Sequence, residues 1–186
     1  MATLSILSTI QRASRLFAGT EHVMDAVMPP LWLEDLDYEN PEMVLRYLEA
    51  GGDVGVRLRE GATILHKVAG RSTHSDAVVV DCVRALLEHG ADADAADEHR
   101  WTPLMVAADA GRLGVVRALL ARGADVDATN RHGGTALMVA SYAGHEGVAD
   151  ALRAAGADES LRDGAGHAAA DWADLRPQPS QGRRHR

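Results

Sequence analysis

From Thr102 onward, apolar blocks and polar breaks alternate along the chain at a fixed spacing. The mostly apolar run "PLMVAADA" follows Thr102 and halts at Gly111. A second block then places Val115, Val116, Leu119 and Leu120 on one face of a helix. Gly123 ends that block, and the polar run "ADVDATN" leads toward the next capping threonine, Thr135. The pattern predicts a helix, a turn, a second helix and a β-type turn. Threonine is a good N-cap, and Pro103 suits the first helical position. A glycine after each helix accepts the left-handed conformation that ends it.

The same order returns 33 residues later: Thr102 with Thr135, Leu104 with Leu137, Met105 with Met138, Gly111 with Gly144, and the "GAD" glycines Gly123 and Gly156. Backwards, Thr63 lies 39 residues before Thr102, whereas Gly90 lies 33 before Gly123, so six residues are inserted between Thr63 and Gly90. Units are predicted over about 58–96, 97–129 and 130–162. A half unit at about 39–57 precedes them, and a degraded one at about 163–175 follows. A unit of this size cannot cover its own apolar face, but a stack of them can. The expectation is an all-α solenoid.

The period, with T-P-L at Thr102 and G-A-D-V at Gly123, resembles the ankyrin repeat over about residues 39–175. That resemblance implies helix-turn-helix units joined by β-type turns. It also implies a non-catalytic protein-binding role, with turn tips and first helices on one concave surface. Some positions depart from the family pattern. The histidine after the capping threonine survives only as His66, with Met105 and Met138 in its place later. Arg100 stands where Gly61, Gly133 and Gly166 stand, and Ala168 replaces the capping threonine. Asp171 and Arg153 put charge where earlier units have Met and Leu, as suits a terminal cap whose outer face meets water.

At the N-terminal side, Asn40-Pro41-Glu42 starts a helix that runs through "MVLRYLEA" to Gly51. Ahead of it, Leu4, Leu7, Ile10 and Phe17 mark one helical face, and Pro29-Pro30 stops a second short helix. Residues 1–38 are expected to form a helical cap or extension. The insertion is expected as a longer loop over about 70–75, with an extra turn on the second helix. Residues 176–186 hold four arginines and no acid and read as a disordered basic tail.

The formal charge of −8 disfavours nucleic acid and anionic membrane and favours a basic protein partner. The single cysteine, Cys82, excludes an internal disulfide and fits a reducing, cytoplasmic setting. No apolar run approaches the roughly 18–20 residues of a membrane span, and no basic segment precedes the N-terminal apolar residues. One lysine among 19 basic residues points to a GC-rich, bacterial genome.

Catalytic chemistry finds little support. The nine histidines show no H-x-x-x-H or H-E-x-x-H spacing. His99 and His132 occupy equivalent tips about 10 Å apart, too far to share one metal ion. Cys82 takes the apolar place of Val115 and Val148. No cofactor or metal is expected. Two alternatives are a small metal-dependent hydrolase using histidine-lined tips, and an adaptor anchored by its N-terminal helix.

Positions fixed by the period serve the fold, so positions that differ between units are the candidates for binding. At the tips these are Arg59 and Glu60; Glu98, His99 and Trp101; and Arg131 and His132. On the first helices they are Arg71, Asp109 and Tyr142. Trp101 leads, since its equivalents are Ala62, Gly134 and His167; it is expected to be exposed near Tyr142. Glu60, Glu98 and Asp109 would meet a basic patch. Trp172 is expected to plug the end of the stack.

Overall fold

The computed structural model describes residues 41–49, 51–70 and 76–176, all within the unit Leu31–Arg186. The expected N-terminal cap over 1–38, the inserted loop with Arg71, and the tail over 177–186 lie outside the described residues. Regular structure among the described residues is helical. Helices run α1 Pro41–Glu49, α2 Ile64–Gly70, α3 Asp76–Glu88, α4 Pro103–Asp109, α5 Leu113–Leu120, α6 Ala136–Ala143, α7 Glu146–Ala154 and α8 Ala169–Asp174.

The helices stack in two layers. Each first helix packs on the next, α2 on α4, α4 on α6 and α6 on α8. The second helices do the same, α1 on α3, α3 on α5 and α5 on α7. α1 is thus the second helix of the leading half unit. Between the layers lies a continuous core in which equivalent residues repeat. Leu65, Leu104 and Leu137 line the first layer, and Leu86, Leu119 and Leu152 the second, all essentially inaccessible. Truncating any of these to alanine would cost about 2–5 kcal/mol.

The predicted caps form. The Thr102 hydroxyl accepts from the Met105 N–H, and the Thr135 hydroxyl from the Met138 N–H, both at 3.4 Å. Ala168 has no hydroxyl to offer; instead the Asp171 carboxylate accepts from the Ala168 N–H at 2.8 Å. Gly144 ends α6 with φ of 76°, as its place in the pattern predicts. α3 has 13 residues against 8 in α5 and 9 in α7, so the inserted unit carries its extra turn at the start of the second helix.

The stack changes character at α7. Leu113, which faces the next unit, becomes Glu146; Leu120 becomes Arg153. Arg153 pairs with Asp150 at 3.0 Å and with Glu159 at 3.3 Å. These charges suit a helix with no second helix packed beyond it among the described residues. In the first layer α8 carries Trp172, half-buried against the core, with its indole N–H donating to Asp163 at 3.0 Å.

Candidate functional site: the turn-tip ladder and the first-helix face

Each β-type turn is a tight hairpin with the same bonds. Its first residue exchanges two hydrogen bonds across the turn: its N–H donates to the carbonyl four residues on, and its carbonyl accepts from the N–H three residues on. The donor pairs are Leu58 to Ala62, Asp97 to Trp101, Asn130 to Gly134 and Asp163 to His167, at 2.7–3.0 Å. The fourth residue is left-handed: Gly61, Arg100, Gly133 and Gly166 have φ of 71°, 60°, 78° and 88°. A left-handed conformation at this place favours glycine. Arg100 adopts it without that freedom.

The side chain of the first residue holds the turn from inside. Asp97 Oδ1 accepts from the N–H groups of His99 and Trp101, both at 2.8 Å. Asn130 Oδ1 does the same for His132 and Gly134, and Asp163 Oδ1 for Ala165 and His167. The first tip has Leu58 here, which cannot accept. There Glu60 is also left-handed, at φ 58°, and Arg57 reaches across to the carbonyls of Gly61 and Ala96.

Successive tips are then joined. The N–H of Glu98 donates to the carbonyl of Glu60, that of Arg131 to His99, and that of Gly164 to His132, at 2.9, 3.0 and 2.7 Å. The ladder uses backbone groups alone and consumes none of the apex side chains. At the hairpin bases a second set of links runs through aspartates: Asp94 accepts from the Asp125 N–H, and Asp127 from the Asp158 N–H. An open cleft of about 350 Å³ between the second and third hairpins is lined by Asp94, Arg100, Asp125 and Asp127 among others.

Glu60, Glu98, His99, Arg131 and His132 are exposed at the apices, with no side-chain hydrogen bond or ion pair among the described residues. Arg59 is exposed beside them. Asp109 is exposed at the end of α4, where its carbonyl meets the His145 ring at 3.0 Å. Tyr142 is 42% exposed on α6, and its ring meets Trp172 edge-on at 5.9 Å. Trp101 departs from expectation. It is half-buried and packs against the core, because it sits on the returning arm of the hairpin rather than at its apex. Its carbonyl also accepts from His66 Nε2 at 3.0 Å. Periodicity could establish only that the fold does not require an indole there. The asparagine and aspartates inside the turns were legible as turn residues, but their double acceptor role was not.

The tips alternate in sign, with Arg59, Arg100 and Arg131 among Glu60 and Glu98, so the acidic surface expected there is mixed. Asp94, Asp125, Asp127 and Asp158 gather instead at the hairpin bases. Cys82 is buried, and burial pushes its thiol up to about 11. Among the described residues no three His, Cys, Asp or Glu side chains are grouped to hold a metal ion, and no helix is long and apolar enough to cross a membrane.

Stacked helical pairs whose hairpins are tied in register define a repeat solenoid. Residues 35–130 match the family model of three ankyrin repeats, and residues 132–164 match that of a further ankyrin repeat. The chain belongs to the ankyrin-repeat family, whose repeats are protein-interaction modules. Among curated proteins it is similar to the potassium channel AKT1 of Oryza sativa, in both the indica and japonica subspecies, at 35% identity over 79 residues. That match covers 42% of this chain and only 8% of the channel.

Proposed function

We propose that the protein is a non-catalytic scaffold that grips a protein partner along its tips and the exposed face of its first helices. One observation carries the reading: the tip backbones are fixed by hydrogen bonds within and between hairpins, while the side chains of Glu98, His99, Arg131 and His132 carry no such duty. Rigid backbone with unspent side chains favours recognition, since little entropy is lost on docking. Tyr142 and the rim of Trp172 add aromatic area on the first-helix side. The charge of −8 and the aspartates at the hairpin bases favour a basic partner through the long-range field. This suits a cytoplasmic bacterial regulator that occludes a basic surface.

A photoreactive residue placed at 99 or 132 should crosslink the partner. The same residue at 84 or 117, exposed on the second helices, should not. Crosslinking only from the second-helix positions would overturn the reading.

A further inference from the structure

The junction between the first and second units differs from the later ones in one buried group. His66 lies in α2 at the place of Met105 and Met138, and is 4% exposed. Its ring bridges two units. The carbonyl of Trp101 can only accept, so Nε2 carries the hydrogen and donates to it at 3.0 Å. Nδ1 is then the bare acceptor, facing the Thr63 N–H at 3.1 Å and the Thr63 hydroxyl at 2.9 Å. One neutral ring thus caps the start of α2 and ties that helix to the second hairpin.

We propose that this junction is a proton-operated latch: adding a proton to His66 Nδ1 sets it against the buried Thr63 N–H and loosens the first unit from the second while the later junctions hold. Met105 and Met138 have no proton to gain. The first hairpin is also the one without a side-chain acceptor inside its turn, so its hold on the second relies more on this ring, on Arg57 and on the Glu98-to-Glu60 bond. The bond to the Trp101 carbonyl and, after it, Asp97 of the second hairpin favour protonation of the ring, whereas Arg57 before the first tip and Lys67 on α2 oppose it. Burial is the largest influence and holds the ring below its ordinary 6.5. The opened junction, with a freely hydrated ring, therefore takes up the proton first, and the closed form loses ground as pH falls below about 6.5.

The experiment is amide exchange and ring titration by NMR on the full chain between pH 7.5 and 5, corrected for intrinsic exchange rates. The His66 ring should titrate below 6.5. Protection at Leu58, Glu98 and Trp101 should drop by up to about tenfold per pH unit between 6.5 and the ring's midpoint, while Arg131 and Gly164 keep theirs. His66→Met, the residue native to the next two units, should abolish the drop. A midpoint at or above 6.5, an equal loss at all three ladder bonds, or a drop that persists in His66→Met would overturn the latch. The wild-type titration decides the matter even if the variant does not fold.

Discussion

The N–H of Arg131 donates to the carbonyl of His99 at 3.0 Å, joining the second hairpin to the third at their apices. The bond fixes both backbones and leaves both side chains in water. The same residues that lock the stack in register therefore display its least constrained chemistry.

Arg100→Gly should stabilise the protein by about 0.5–1 kcal/mol. Arg100 is left-handed at φ 60°, where its three equivalents are glycine, and relief of that conformation exceeds the added freedom of the unfolded chain. A denaturant titration in which the midpoint stays or falls would count against the strain.

Asn130→Ala should destabilise by about 2 kcal/mol. Its side-chain oxygen accepts two N–H groups, from His132 and Gly134, and the residue is buried. Truncation leaves both donors without their acceptor. A loss no larger than that of an exposed-site change would show that water replaces the oxygen freely.

Ala168→Thr should stabilise by about 1 kcal/mol by supplying the missing N-cap of α8. Thr135→Ala should cost a similar amount, since the Thr135 hydroxyl already accepts from Met138. Thermal denaturation of the two variants checks both signs.

Asp163 reports on the C-terminal end. The N–H of His167 above all, then that of Ala165, the Trp172 indole and the His167 ring, hold its carboxyl below the ordinary 3.8 against a smaller opposing effect of burial. A lowered folded value means that its contribution is complete above 3.8 and is lost as pH falls through the folded value. Asp163→Asn keeps an oxygen for the turn and removes the titration. Stability measured between pH 5 and 3 should fall less steeply in the variant.

Trp101→Ala should lower stability by about 1–3 kcal/mol, because a half-buried indole packed on the core is lost. Unchanged denaturation would return Trp101 to the freely exposed role that its variability between units predicts.

Much of the fold was legible because stacking needs the same side chains at the same places. Thr102, Thr135, Gly144 and the leucine rows declare themselves by recurrence. The charges of Arg153 and Asp171, exposed at places that are apolar earlier in the stack, were legible too. What recurrence cannot convey is the backbone. The ladder between tips involves no particular side chain, so Glu60, His99 and His132 gave no sign that their carbonyls were bonded. Nor could variability separate an apex residue such as His99 from an arm residue such as Trp101, since both are free to change for different reasons.

The division between fixed backbone and free side chains is tested most directly in one variant carrying Glu98→Ala, His99→Ala, Arg131→Ala and His132→Ala, compared with wild type for stability and for partner binding from native lysate. The expected result is a stability change of no more than about 0.5 kcal/mol per site, with affinity for the partner lowered by about thirtyfold or more. Full retention of the partner, or unfolding of the variant, would contradict it.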